Sequence, residues 1–279
     1  MSTLQEISHV RGERFALTVA LVVAGAHNLA FSEETAAGGT KPTQLHAPER
    51  SVPTAGKQTL DSALFNAVLM KHLQGGRIDY AGLHADAAAT AQLQKYVEAI
   101  ARMPESEPLS SWINAYNVLV VHAVLERYPL QSVKDAEGGD FRFFREIYYT
   151  VAGKKRSLDD VENGVIRPRF EDARIHVALN CGALSCPPLP PKAFEAATLD
   201  ADLDQLAKVT VNDGHHLYVN DGKLVVNEIF KWFESDFARD GGSLLKWIQA
   251  YSDDAAVDGL AADVTIEVYP YDWALTAKE

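Results

Sequence analysis

The sequence predicts a single α+β domain of mixed helices and antiparallel hairpins. Several segments have the apolar spacing of amphipathic helices, others have the turn residues of hairpins, and no strand–helix–strand alternation runs through the chain. The chain has 279 residues, of which 47 % are hydrophobic, so it can bury a substantial core. Its net charge of −12 argues against nucleic acid as a partner.

The N-terminus predicts export. Arg11 and Arg14 precede an apolar run from Phe15 to Ala26, and the small residues Ala30 and Ser32 follow in "AFS", which is the order of a secretory signal peptide. The run is shorter than the roughly 20 residues that a membrane-spanning helix needs. We therefore expect a periplasmic or secreted protein with no stable membrane insertion after cleavage. An uncleaved membrane anchor is the alternative.

The predicted layout has three parts. A signal peptide occupies 1–32, and a flexible leader rich in Gly, Pro and Thr occupies 33–58. The α+β domain occupies 59–279, and no internal repeat divides it.

Helices are predicted at 59–73, 88–103 and 108–129 from apolar residues at helical spacing. Further helices are predicted at 157–170 and 198–211, which begin at the caps Ser157 and Thr198, and at 228–252, broken at Gly241-Gly242. Hairpins are predicted at 146–158, turning at Ala152-Gly153, and at 216–227, turning at Asn220-Asp221-Gly222. The segment 175–180 is predicted as a short apolar strand, and 264–276 as a closing strand.

The segment 108–129 predicts a buried helix. Pro108 suits its first turn, Pro129 ends it, and its side chains are apolar nearly all round. Asn114 and Asn117 would then be buried amides that need partners. Two interpretations stay open: they bond the backbone of loops, or they line a site.

The stretch "IHVALNCGALSCPPL" at 175–189 holds both cysteines of the chain. In one interpretation Cys181 is a nucleophile and His176 is its base, which requires the chain to turn at 180–182. A carboxylate would orient the imidazole, and Glu162 and Asp272 are the candidates.

Three other interpretations of the two cysteines stay open. A Cys181–Cys186 disulfide would close a short loop, as is common in an oxidising compartment. A metal site would add His176 and one histidine of the pair at 215–216, although the spacing matches no zinc signature. A redox role lacks the CxxC spacing. We therefore expect no metal, and the absence of a Gly-rich phosphate loop predicts no nucleotide cofactor.

Two further clusters are interpreted as structural. "FRFFRE" at 141–146 is predicted to be a solvated edge. Trp232, Phe233, Asp236 and Phe237 form an aromatic helix face that is predicted to lie in the core.

Four ordered motifs, "SWINAYNVLVVHAVL", "SLDDVENGVIRPRFEDARIHVALNCGALSCPPL", "EIFKWFESDF" and "YPYDWAL", resemble a bacterial and plant family catalogued as domain of unknown function 547. The resemblance runs from about Thr59 to Leu275. It implies a polar set that comprises Asn114, Asn117, Glu162, Arg167, Arg174, His176 and Cys181. Such a set is typical of a site and is similar in residue types to papain-like and transglutaminase-like thiol enzymes.

Two functions are expected from these residues. The first is a Cys-His thiol hydrolase or acyltransferase acting on amide or thioester bonds of a small-molecule or peptide-like substrate, with Asn114 or Asn117 stabilising the oxyanion. The alternative is a non-catalytic envelope binding or interaction module with a Cys181–Cys186 disulfide.

Overall fold

A computed structural model describes residues 58–275 of the chain. The predicted signal peptide at 1–32 and the leader at 33–57 lie outside the described residues. About 52 % of the structure is helix and the strands form small sheets, which confirms the predicted α+β class. Gln58, predicted as the last leader residue, contacts the domain: its Oε1 accepts from the Ser110 hydroxyl (2.8 Å) and from the Ala196 N–H (3.0 Å).

Three helices and a minimal hairpin begin the domain. They are α1 (Ser62–His72), β1 (Leu73–Gln74), β2 (Arg77–Ile78), α2 (Tyr80–Ala85) and α3 (Ala87–Arg102). Each helix starts at an aspartate whose side chain accepts from backbone N–H groups of the first turn: Asp61, Asp79 and Asp86. Such caps satisfy N–H groups that have no partner inside the helix.

The helix α4 (Leu109–Leu125) lies at the centre of the domain. Every residue of it except His122 is buried, which confirms the helix predicted to be buried on all sides. It begins directly after Pro108 and ends before Pro129, as predicted. It packs against α2, α3 and the helical segment that begins at Leu158.

Two hairpins form as predicted. β3 (Tyr148–Val151) and β4 (Lys154–Ser157) turn at Ala152-Gly153, and β5 (Leu217–Asn220) and β6 (Lys223–Asn227) turn at Asp221-Gly222. All four turn residues have positive φ, between 48° and 74°, which matches the right-handed twist of a tight hairpin.

The predicted closing strand is shorter than its pattern and pairs differently. β7 (Ile266–Tyr269) runs parallel to β6, so one sheet has the order β5-β6-β7 and is not purely antiparallel. The segment 270–275 continues as an extended strap: Leu275 forms a β-bridge with Ala183, and Ala274 forms one with Ser132.

The predicted helix at 157–170 contains an irregular turn. α5 (Arg142–Arg145) precedes the hairpin β3–β4, and α6 (Leu158–Val161) follows Ser157, which forms a reciprocal capping box with Asp160. A π-helical turn at Glu162–Ile166 then leads into α7 (Arg167–Phe170). The Arg167 N–H donates to the Glu162 carbonyl five residues earlier. Such π turns occur frequently at functional sites.

The strand predicted at 175–180 is wrong. Ala173–Val177 is a 3₁₀ helix, in which the Ile175 N–H donates to the Asp172 carbonyl (3.2 Å) and the Ala178 N–H to the Ile175 carbonyl (2.9 Å). Asp172 caps it by accepting from the Arg174 N–H. An apolar run of six residues does not distinguish a buried strand from a buried helical turn.

The remaining helices follow the cysteine loop. They are α8 (Leu199–Asn212), α9 (Glu228–Trp232), α10 (Glu234–Gly241), α11 (Leu244–Tyr251) and α12 (Ala255–Asp258). The predicted break at Gly241-Gly242 is present, and Gly242 has the positive φ of 81° that ends α10. Thr198 precedes α8 as predicted, but its hydroxyl bonds Asp202 and not a backbone N–H. Within 58–275, no helix is long and apolar enough to span a membrane.

Candidate functional site

Cys181 and Cys186 form a disulfide, with their Cα atoms 6.3 Å apart. The predicted free thiol at Cys181 is therefore corrected: this sulfur is bonded. The Tyr271 hydroxyl lies 3.2 Å from Sγ of Cys181 and 3.1 Å from Sγ of Cys186. The bonded pair with Tyr271 beside it fixes the shape of the loop that was predicted to carry the nucleophile.

The chain turns next to the first cysteine, as the nucleophile interpretation required. Gly182 has φ of 84°, and its N–H donates to Oδ1 of Asn180 (2.9 Å). A side chain at position 182 would be strained by this backbone angle. The strap secures the other half of the loop, because the Leu184 N–H donates to the Ala274 carbonyl (2.8 Å).

Asn117 holds the backbone just before the cysteine loop. Its Nδ2 donates to the Ala178 carbonyl (2.9 Å), and its Oδ1 accepts from the Asn180 N–H (2.8 Å). Asn114 forms the same reciprocal pair with the backbone of Phe194, at 2.8 and 2.9 Å. Both amides bond loop backbone, as one of the two interpretations predicted, and neither lines the cavity that holds Cys181 and His176.

Asp272 does not orient His176. Its side chain is exposed and accepts from the Ala274 N–H (2.9 Å), so it acts as a local loop cap. It lines a different cavity, together with Ser185 and His216. Asp272 therefore lies apart from the cavity that His176 lines, and Asp236 bonds His176 where Asp272 was a candidate.

His176 is oriented by a carboxylate that the sequence did not identify. Its Nε2 lies 2.8 Å from Oδ2 of Asp236, which is also 2.8 Å from Nε of Arg167. The His176 side chain is buried, stacks on Phe233 at 3.7 Å between ring centroids, and is 2 % exposed. Asp236 was predicted to be a core residue of an aromatic helix face, 60 residues away in sequence.

Burial sets the charge state of this pair. Burial lowers the pKa of His176 to about 4, although Asp236 acts in the opposite direction. The hydrogen bond from His176 holds the pKa of Asp236 well below its usual range. At neutral pH the imidazole is therefore neutral, its Nε2–H donates to ionised Asp236, and its Nδ1 is an acceptor. Among the described residues Nδ1 has no hydrogen-bond partner.

The pKa of Glu162 is raised, whereas those of His176 and Asp236 are lowered. Burial raises the pKa of Glu162 to about 7, while the Tyr116 hydroxyl and the charge of Arg167 oppose the rise. Proximity to Glu162, added to burial, also raises the pKa of Tyr116 well above its usual value. A carboxyl group near half ionisation at neutral pH is suited to exchange protons or to bind a cation.

One cavity of about 410 Å³ brings these groups together. Glu162, His176 and Cys181, three of the predicted site residues, line it, whereas Asn114 and Asp272 do not. Its remaining polar and charged lining comes from Arg145, Asp159, Asn163 and two tyrosines. The rest of the lining is mostly aromatic: Tyr116, Phe141, Phe144, Trp232, Phe233, Tyr271 and Trp273.

The aromatic wall was missed at the level of the sequence. Phe141 and Phe144 belong to the segment predicted to be a solvated edge, yet both lie against Trp273, at 4.9 and 6.3 Å between centroids. Trp232, predicted to be core, is 44 % exposed and lies 5.6 Å from Trp273. The high density of aromatic residues in "FRFFRE" and "YPYDWAL" is the sequence feature that could have predicted this wall.

The metal interpretation of the cysteines is not supported. Both thiols are used by the disulfide, and His216 Nδ1 lies 2.8 Å from Asp213. Across residues 58–275 there is no group of three His, Cys, Asp or Glu side chains that could hold a metal ion.

A family model described as "Protein of unknown function, DUF547" matches residues 100–209. No curated protein and no solved structure matches the chain. The matched segment contains Glu162, His176 and the disulfide, and it ends before Asp236 and most of the aromatic wall. The match over residues 100–209 therefore supports the resemblance to the DUF547 family of proteins of unknown function that the motifs predicted.

Proposed function

We propose that the domain is a non-catalytic module that binds a small molecule in the cavity beside the Cys181–Cys186 disulfide. The observation that carries this proposal is the bonded state of Cys181 in the wall of an aromatic cavity. A disulfide provides no thiolate, so the group that a thiol enzyme needs is absent while the cavity remains.

The cavity has the features of a ligand site. Its volume of about 410 Å³ falls in the range of small-molecule pockets, roughly 300–1,000 Å³. Its wall is apolar and aromatic, with a few polar groups such as Glu162 and His176 that can fix the orientation of a ligand. The disulfide and the hydrogen bonds of Asn117 hold the loop rigid, which reduces the entropy lost on binding.

The second candidate is the thiol hydrolase or acyltransferase predicted from the sequence. It is supported by the placement of Cys181, His176 and Glu162 in the lining of one cavity. It requires reduction of the disulfide, and a pKa of about 4 makes His176 a weak base at neutral pH. The binding module requires neither a free thiol nor a basic histidine.

Export remains part of the proposal. The basic, apolar and small-residue order at 11–32 supports a signal peptide. A disulfide at Cys181–Cys186 is consistent with an oxidising compartment such as the periplasm.

The state of the cysteines separates the two candidates. The test is the intact mass of the unreduced protein after a brief alkylation near pH 6, where ordinary thiols are protonated. The binding module predicts a mass two hydrogens below that of the reduced chain, with no adduct. One or two alkyl groups would contradict it, and a substrate search with Cys181→Ser as the inactive control would follow.

Binding is tested by the tryptophan fluorescence of the full chain against a set of small aromatic compounds. Trp232→Ala should weaken binding at least about tenfold, because the ring forms part of the wall. The matched control is Tyr218→Ala, since Tyr218 is exposed to a similar degree (46 % against 44 %) but lies outside the cavity. Equal binding by wild type and both variants would show that the cavity is not the site.

A further inference from the structure

The charged groups of the cavity are unbalanced in favour of acidic ones. Asp159 and Glu162 line it, and within the described residues neither forms a salt bridge. Asp159 accepts only from the neutral Nδ2 of Asn163 (3.0 Å) among its side-chain contacts. The single cation in the lining, Arg145, is half-exposed and donates to the backbone carbonyl of Asp140. The interior of the cavity therefore favours positive charge.

The aromatic wall supplies π systems as well as apolar area. Trp232 and Trp273 are stacked, with centroids 5.6 Å apart and planes at 23°, and Tyr271 lies 4.6 Å from Trp273. The face of an aromatic ring carries partial negative charge and attracts a cation placed over it, most strongly for tryptophan. Rings and carboxylates in one cavity thus attract the same kind of ligand.

His176 provides a third and independent feature. It lines the cavity, is 2 % exposed, and its Nδ1 atom has no partner in the described part of the chain. Because Nε2 bonds Asp236, Nδ1 is an acceptor that a ligand N–H can satisfy. Buried polar atoms without partners are rare and often mark a place where a bound group belongs.

We propose that the cavity takes a small organic ammonium ion, a protonated amine carried on an apolar or aromatic body. The proposal rests on the proposed binding function and names its ligand class. The ammonium group is neutralised by the carboxylate of Glu162, donates an N–H to Nδ1 of His176, and its organic body contacts Trp232 and Trp273.

Other ligand classes fit the lining less well. An anion would meet two carboxyl groups and only the outward-held Arg145. A neutral aromatic molecule would fill the wall but would use none of the acidic excess. An amine is the class that satisfies the acceptor, the carboxylates and the rings together.

The proton on Glu162 gives the binding a defined pH dependence. The groups around Glu162 are Tyr116 from α4, Asp159 and Arg167 from its own helical segment, and Asp236 from α10. Arg145, His176 and Tyr271 complete the lining that carries charge or titrates. The cation binds the ionised carboxylate, so the apparent affinity should fall up to tenfold for each unit below about pH 7 and level off above it.

The experiment is isothermal titration calorimetry of the full chain at about pH 8, with three probes on one benzyl or phenyl body. They are benzylammonium, benzyl alcohol and benzoate, which are positive, neutral and negative. Benzylammonium should bind at least about tenfold more tightly than benzyl alcohol, and benzoate most weakly. Glu162→Gln should remove this preference and the pH dependence. The matched control is Glu98→Gln, which removes one negative charge from an exposed position on α3.

Each other outcome overturns the assignment. Equal binding of benzylammonium and benzyl alcohol would refute recognition of charge, while the cavity would remain a binding site. Tightest binding by benzoate would reverse the sign of the ligand. No binding by any probe would refute this ligand class, and the fluorescence comparison with Trp232→Ala would still decide the proposed function. If Glu162→Gln fails to fold, a flat pH profile in the wild type overturns the proposal by itself.

Discussion

Replacing Asn117 with alanine should destabilise the domain strongly, because this side chain holds the backbone before the cysteine loop. The substitution removes two hydrogen bonds, to the Ala178 carbonyl and from the Asn180 N–H, at a position that is 1 % exposed. Each bond contributes about 1 kcal/mol, and each backbone group left buried without a partner costs about 1–3 kcal/mol. The free energy of unfolding should therefore fall by about 2–6 kcal/mol, out of a total of about 5–15 kcal/mol.

The assay is equilibrium unfolding in urea, followed by circular dichroism, on wild type and variant. The slope of the free energy against denaturant should stay unchanged while the midpoint falls. Asn163→Ala is the matched control: this asparagine is exposed, and its loss should cost below about 1 kcal/mol. A loss below about 1 kcal/mol for Asn117→Ala would refute the reasoning, since water or a rearranged loop would then be satisfying both backbone groups.

Three other predictions concern the ionisable groups and the disulfide. Because the pKa of Glu162 is raised from 4.5 to about 7 by burial, stability should fall as the pH rises through that window, by at most about 3 kcal/mol; Glu162→Gln should remove this slope in urea unfolding. The pKa of His176 is lowered from 6.5 to about 4, so its contribution should be lost as the pH falls through that window. Nitrogen NMR near pH 6 should show a neutral ring with the proton on Nε2, and an imidazolium signal would contradict the assignment. Replacing both Cys181 and Cys186 by serine should lower the free energy of unfolding by about 2 kcal/mol, and an unchanged urea midpoint would argue against the bond.

Features with a local cause could be predicted from the sequence. α4 follows from an apolar run bounded by Pro108 and Pro129, and the turn at Asp221-Gly222 follows from residues that accept positive φ. The capping box at Ser157 likewise involves a span of four residues. Each of these signals lies within the element that it specifies.

Features that depend on distant contacts could not be predicted in the same way. The 3₁₀ helix at 173–177 is stabilised by Asp172 and by the packing of a buried Arg174, which donates to Asp200 and Asp204 of α8. A six-residue apolar pattern contains none of that information. It therefore predicted a strand instead.

In the candidate site, too, residues close in sequence could be predicted together, whereas a contact between distant residues could not. Glu162, His176 and Cys181 are three of the residues that the sequence predicts for the site, and they line one cavity. They lie within 20 positions of one another in the sequence. Asp236 meets His176 only through the folded arrangement of α10 against the 3₁₀ helix, 60 residues apart in sequence. The sequence offers Glu162 and Asp272 in its place, because spacing alone does not rank acidic residues by distance in space.

The strap at 270–275 has a consequence for any fragment of this protein. It contributes Tyr271 and Trp273 to the cavity and pairs with the disulfide loop through the bridge between Leu275 and Ala183. A fragment cut to the family match at 100–209 would keep both carboxylates of the lining and would lose four of its seven aromatic rings: Trp232, Phe233, Tyr271 and Trp273. The matched segment therefore supplies both carboxylates of the lining, Asp159 and Glu162, whereas the later residues supply both of its tryptophans.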